Sequence, residues 1–417
     1  MSERTEPRTF TARWVFPVSG PPLPNGTVTV RGEHIEAVLP HGERAPDEDF
    51  GNAAIIPGLV NPHTHLDLSG ARGLIPPTAA DHFTDWLRGV IGYRRTRTPE
   101  QTQSDIRTGL AECLRHGTTL IGDIASEGAS WDALAGAPTR AVVYFELIGL
   151  SEQSSVAALE RRYAWHRSLP KEHATCRTGR SPHAPYSVSG GLLTSAHLFH
   201  VPAAIHLAEV AAEADLLERR EGVFVDFLQQ LGVWKPDLGF ADWSLIVQMT
   251  SVELFAKPPN YTAPPVLFVH ANYLPPTVPW GSNHFVCYCP RTHAAFGHAP
   301  HPFREFLARG VRVCLGTDSL ASNPDLDVLS EARFVRTRYP DFPGDQLLRM
   351  VTLSGAESLG WADETGSLEA NKSADFVVVP LPNADVADPH ELVLTDHAGD
   401  RRTMFRGAWR TQASSAP

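Results

Sequence analysis

Eight short apolar runs recur through the middle of the chain, at 55–60, 118–121, 141–147, 176–181, 203–207, 266–269, 285–289 and 311–315, each followed by helix-like sequence. Such runs, bounded by turns and separated by helical segments, imply a parallel sheet buried on both faces. Eight such units make a closed (β/α)8, TIM-like barrel the leading α/β reading. A doubly wound open sheet is the alternative that periodicity leaves standing. Barrels often run well past 200 residues as one unit, so a chain of 417 residues need not divide into equal domains.

The two ends read differently. Residues 9–56 are short strand-like stretches, 27–30 and 34–38 among them, punctuated by Pro, Gly and Asn; the tail repeats the pattern at 375–379 and near 403–409. We expect a small β-sandwich domain built from residues 1–56 with 364–417, flanking a catalytic barrel at 57–363.

Chemistry is concentrated at the strand ends. The first run closes on His63-Thr64-His65. In a strand, residues i and i+2 face the same way, so both imidazoles can reach one metal. The fifth run ends at His206 with Glu209 three residues on, the sixth at His270 and the eighth at Asp318. Apolar strands that repeatedly terminate in His or Asp are hard to explain as core polarity, because buried charges are rare unless paired or ligating. A metal site at the C-terminal mouth of the barrel explains them together. Walker A, H-E-x-x-H, nucleophile-elbow and H-x-E with P-C-x-x-C patterns are absent.

Composition narrows the partners. A formal net charge of −11 argues against a nucleic-acid or anionic-membrane surface, and the apolar runs are far short of a membrane span. Five cysteines without a CxxC pair fit a reducing cytoplasm. Residues 1–10 are polar and lack the apolar core of a signal peptide. A small-molecule substrate is the expected partner, and the assembly considered is a homodimer.

The segments PGLVNPHTH (57–65), HLAE (206–209), FVH (268–270) and LGTDSLASN (315–323) resemble the amidohydrolase superfamily, in its branch of mononuclear aminohydrolases. That branch includes cytosine, guanine, adenosylhomocysteine and aminodeoxyfutalosine deaminases and the triazine chlorohydrolases. The resemblance implies that His63, His65, His206 and Asp318 ligate one divalent ion, zinc first and ferrous iron second. It also implies that His270 holds the attacking water and Glu209 shuttles protons. Three imidazoles and a carboxylate suit either metal, and a bound ion lowers the pKa of water from 15.7 to about 7. Binuclear members carry a carboxylated lysine at the end of strand four; here residues 180–186 read RSPHAPY, so one ion is expected.

PHAPYS (182–187) resembles the adenosylhomocysteine-type deaminases, which implies that His183 faces the substrate. LGTDSLASN and the run from His65 through Phe83, Trp86 and Arg94 resemble aminodeoxyfutalosine deaminases. Together they point to hydrolytic deamination of an amino-substituted heterocycle, a 5′-modified adenosine in particular. Trp86 would stack on that ring or pack on an amphipathic helix. Arg291 and the segment 222–265 would serve the 5′ substituent, with structural pairing as the alternative for Arg291. The long interval from His206 to His270 has room for a lid. Asp67, Tyr273 and Thr292-His293 depart from the family pattern at the substrate end. Dechlorination or ring opening by the same metal centre is a rival reading, and a non-catalytic scaffold another.

Overall fold

The computed structural model describes residues 6–194, 201–251, 263–397 and 399–410. At its centre eight strands follow one another in chain order: β1 Leu59–Thr64, β2 Thr118–Ala125, β3 Arg140–Leu147, β4 Cys176–Pro182, β5 Ala203–Leu207, β6 Val266–His270, β7 His284–Tyr288 and β8 Arg312–Leu315. Every neighbouring pair is parallel. A parallel bridge between Thr64 and Asp318 brings the last strand back to the first at the mouth. The fold is therefore the TIM-like barrel that the eight apolar runs imply, and the open sheet is excluded.

The burial pattern explains why the runs do not alternate. β1, β2, β3, β5, β6 and β7 are buried at every position. Val60, Leu120, Val142, Tyr144, Ala204, Leu267, Phe285 and Cys314 share one apolar cluster. Residues at intervening positions, such as Ile121, Val143, Ile205 and Val286, belong to others. Helices around the sheet begin where their caps dictate. Thr98 and Gln101 form a capping box ahead of Pro99–Arg115, as do Ser151 and Ser154 ahead of Glu152–Ser168.

Two boundaries differ from the sequence reading. The run at 55–60 is two strands in two sheets: Ala53–Pro57 pairs antiparallel with Phe376–Pro380, and β1 starts at Leu59. Gly58 turns the corner, where a Cβ would stand 2.1 Å from Thr119 Oγ1, so no larger residue fits. The strand expected near 403–409 is a hairpin of Arg402–Phe405 and Ala408–Trp409. Its turn residues Arg406 and Gly407 both have positive φ, as a tight two-residue turn requires.

A four-stranded sheet from the N-terminal stretch and a six-stranded sheet drawn from both ends of the chain share an apolar cluster that includes Phe10, Val28, Ile55, Phe376 and Met404. Arg140 of β3 donates to the buried carboxylate of Asp375, joining the barrel to this layer. Among the described residues no helix is long and apolar enough to cross a membrane. Of the segment 222–265, residues 252–262 lie outside the described residues.

Candidate active site

The side chains singled out at the strand ends converge. His63 and His65 leave β1 on one face, their ring centroids 4.9 Å apart, and the His206 ring lies 5.0 and 5.2 Å from them. His65 Nε2 stands 3.2 Å from His206 Nε2. Asp318 Oδ1 lies 3.4 Å from His63 Nε2 and 3.6 Å from His65 Nε2. Ligand atoms of His63, His65 and His206 fall within 4.8 Å of one another, as do those of His63, His270 and Asp318. All five residues are buried.

This donor set fits a divalent cation. Both ring nitrogens of His63, and Nδ1 of His65, are buried without a hydrogen-bond partner, an arrangement that costs about 1–3 kcal/mol per group unless something occupies it. His206 Nδ1 is 2.9 Å from the His183 carbonyl. A carbonyl only accepts, so Nδ1 carries the proton and Nε2 turns its lone pair inward. Burial pushes the imidazoles of His65, His206 and His270 well below their usual range, which keeps them neutral. Burial alone would raise the Asp318 carboxyl, but His63, His270 and the Ser322 hydroxyl hold it down. Neutral imidazoles with one carboxylate are the donors that zinc or ferrous iron takes.

The backbone that presents these groups is strained. Ala208, His270, Ala271 and Asp318 all have positive φ, at 52°, 67°, 54° and 60°. Such residues persist only where the surroundings over-determine them. Here Asn61 Nδ2 donates to Thr317 Oγ1 at 2.7 Å and its Oδ1 accepts from the Thr317 amide. His301 Nε2 donates to the His270 carbonyl at 2.7 Å. Asp123, at the end of β2, accepts from the Thr64 hydroxyl and the Leu66 amide, both at 2.9 Å, and so grips the two sides of His65.

Glu209 is buried, with Oε1 3.4 Å from His270 Nε2. Burial, reinforced by Asp318 and Glu213, pushes its carboxyl well above the usual range. A buried carboxyl beside an imidazole, at the rim of a metal-binding cluster, is equipped to hold and release a proton.

At the substrate end the expectations divide. His183 lies beside the cluster, its ring 4.9 Å from that of His206 and its Nδ1 2.8 Å from Ser187 Oγ. Trp86 is packed between Phe83 and Phe296, at 5.5 and 5.1 Å, with its indole N–H unpartnered. Packing on its helix is thus the arrangement present. Arg291, expected toward a 5′ substituent, is paired within the protein. Its Nε donates to Glu331 at 2.7 Å and its Nη atoms to Asp325 at 2.7 and 2.9 Å. Glu331 is fully buried, and that charge demands a fixed cation.

The departures from the family pattern have partners of their own. Asp67 pairs with Arg94, which also reaches Glu146 at 3.1 Å. Glu146 Oε1 in turn lies 3.9 Å from His183 Nε2. The Tyr273 hydroxyl meets His298 Nδ1 at 3.3 Å, and the Thr292 hydroxyl meets Ser322. Sequence reasoning missed Asp123, Glu146, Glu213 and Ser322. The signal for the first two was present: Asp123 and Glu146 each close an apolar strand in the way His206 does.

Comparison with known proteins agrees with this geometry. The profile described as the amidohydrolase family matches residues 54–410. The chain is 29% identical to 5-methylthioadenosine/S-adenosylhomocysteine deaminase of Moorella thermoacetica, over 91% of this chain and 86% of that protein. It is 25% identical to aminodeoxyfutalosine deaminase of a Nitratiruptor species, over 89% of this chain and 91% of that protein. The crystal structure of Helicobacter pylori aminofutalosine deaminase in complex with methylthio-coformycin superposes with a TM-score of 0.82 at 20% identity, covering 97% of this chain and all of that one.

Proposed function

This chain belongs to the amidohydrolase family, and from that premise we propose that it hydrolytically deaminates the 6-amino group of a 5′-modified adenosine, aminodeoxyfutalosine among the candidates. The observation that carries the reading is the pairing of Glu209 with His270 at 3.4 Å beside the cluster of His63, His65, His206 and Asp318. The names of the two sequence relatives, both purine-nucleoside deaminases, support the substrate class.

In this reading His63, His65, His206 and Asp318 hold one divalent ion, zinc in preference to iron. When bound, such an ion polarises water and lowers its pKa to about 7. Glu209 takes a proton from the attacking water and passes it to a ring nitrogen as the bond from C6 to the water oxygen forms; the remaining hydroxyl proton goes to the 6-amino group, the C6–N bond breaks, ammonia leaves and a 6-oxo purine remains. Burial raises its carboxyl above the usual carboxylate range, which favours a group that holds a proton between two transfers. His270, held by the His301 bond to its carbonyl, orients the water. His183 meets the purine, and Trp86, whose buried indole N–H has no partner, has a donor left for the ring. Arg291 takes no part in binding.

The test is spectroscopic, because conversion of adenine to hypoxanthine changes the ultraviolet absorbance. Zinc-loaded protein is assayed with 5′-deoxyadenosine, methylthioadenosine, adenosylhomocysteine and aminodeoxyfutalosine. Turnover of at least one is the expected result. Ammonia release from cytosine, guanine or triazine rings with none from any adenosine would overturn the purine assignment and leave the deaminase reading standing.

A further inference from the structure

The turn that carries Glu209 is gripped by a second carboxylate. Glu213 Oε1 accepts from the amides of Glu209, at 2.8 Å, and Val210, at 3.4 Å; Oε2 accepts from the Ala208 amide at 3.1 Å. Three successive N–H groups thus point at one side chain, an anion-binding nest closed from within the chain. Glu213 is 1% exposed, so water does not compete for these bonds. From the opposite side Asn272 Nδ2 donates to the Glu209 carbonyl at 2.9 Å. The arrangement offsets the strain of Ala208, whose positive φ begins the turn.

A fourth donor reaches the same carboxylate from a distant part of the chain. Trp243 Nε1 lies 3.4 Å from Glu213 Oε2. Trp243 is the first residue of the helix Trp243–Thr250, which the Asp242 side chain caps. That helix belongs to the long insertion between β5 and β6. The Trp243 ring packs against both the apolar cluster around the strands and the one that holds Trp86, Tyr186 and Phe224 at the mouth.

We propose that Glu213 is the positioning residue for Glu209 and that Trp243, acting through Glu213, ties the proton-transfer turn to the insertion between β5 and β6. Glu213 meets no reacting atom in this scheme. It fixes three amides, and the amides fix where the Glu209 carboxyl points. The inference rests on Glu209 being the proton-transfer group, as proposed above. Displacement of such a group by about 1 Å costs on the order of 10²-fold in rate. Loss of a single hydrogen bond as long as the 3.4 Å one from Trp243 amounts to about 2- to 10-fold.

The experiment compares Glu213→Gln, Trp243→Phe, the double variant and Glu209→Gln in the zinc-loaded enzyme, with whichever adenosine the wild type turns over. Glutamine keeps the shape of Glu213 but turns an NH₂ toward two of the four donors. Glu213→Gln is expected to lose roughly 10- to 100-fold in kcat, with KM and zinc content close to wild type. Trp243→Phe is expected to lose about 2- to 10-fold, and the double variant to be no worse than Glu213→Gln alone. Wild-type kcat in Glu213→Gln, or a fall accompanied by zinc loss and a raised KM, would overturn the positioning role. Losses that multiply in the double variant would overturn the route through Glu213. Glu209→Gln separates the two readings: if it too turns over normally, the role of Glu209 fails rather than that of Glu213 alone.

Discussion

The main-chain amide of Asp318 donates to the carbonyl of His63 at 3.1 Å, while the side chains of the same two residues approach to 3.4 Å. One contact closes the barrel between its last strand and its first. The other assembles the metal-binding cluster. Closure of the sheet and completion of the site are therefore the same structural event, and what weakens one is expected to weaken the other.

Metal content follows from this. Protein prepared without chelator should contain about one equivalent of divalent ion, since one set of donors converges and, among the described residues, no lysine stands at the end of β4 to bridge a second ion. Removing the ion leaves His63 with neither ring nitrogen paired, so the melting temperature should fall with activity, and both should return on adding zinc. Elemental analysis with thermal melts checks this; two equivalents at the barrel mouth would defeat the mononuclear assignment.

Glu209→Gln should keep metal and fold while losing about 10²–10⁴-fold in kcat, the usual scale of general acid–base catalysis. His270→Asn should follow it, because the two side chains meet at 3.4 Å. Steady-state kinetics alongside zinc analysis distinguishes proton transfer from ligation: a variant that sheds its metal was ligating.

Arg94 sits between two buried carboxylates, Asp67 and Glu146, and both raise its pKa against the effect of burial. Replacing it with Met strands two charges. Removing one partner of a buried pair costs about 3–5 kcal/mol, and the 24% exposure of the Arg94 side chain places the expectation at the lower end. Urea unfolding of Arg94→Met reads this directly, and adding Asp67→Asn should restore part of the loss.

Arg291→Ala should be a stability variant rather than a binding one. Its partners are Asp325 and the fully buried Glu331. The expected result is a lowered melting temperature with KM changed by less than about 2-fold. A KM raised tenfold at unchanged stability would return Arg291 to the substrate site.

Acid should destabilise the protein through a second group of histidines. Burial holds the imidazoles of His293, His298 and His301 down to about 4, about 4 and about 3, from a usual 6.5. Between pH 6.5 and these values the unfolded chain binds protons that the folded one refuses. Their contribution to stability is thus complete above pH 6.5 and is lost as the pH falls toward 4. Melts across pH 4–8 should show the decline, and His293→Gln should flatten it. A melting temperature that holds from pH 7 down to pH 4 would count against buried neutral imidazoles.

The eight-stranded barrel was legible in the chain itself, because most of its strands are short, largely apolar runs buried on both faces, and a one-dimensional pattern records that burial directly. The residues that converge at the barrel mouth were legible too, because His63 and His65 are two apart and His206, His270 and Asp318 each end an apolar run. Local composition could not set the boundary between Ala53–Pro57 and β1. Both halves of 55–60 are apolar, and the corner between them lies at Gly58, where a Cβ would clash with Thr119, 61 residues away in the chain. Nor could it reveal that Arg291 pairs with Glu331 and Asp325 while Arg94 bridges Asp67 and Glu146. A guanidinium is suited equally to a substrate carboxylate and a protein one, and only the folded backbone decides which carboxylate lies within reach. The grip of Glu213 on the Glu209 turn is of the same kind. Its three amides are local in sequence, but the fourth donor comes from Trp243, and only the packing of the insertion against the barrel mouth brings that indole to the turn.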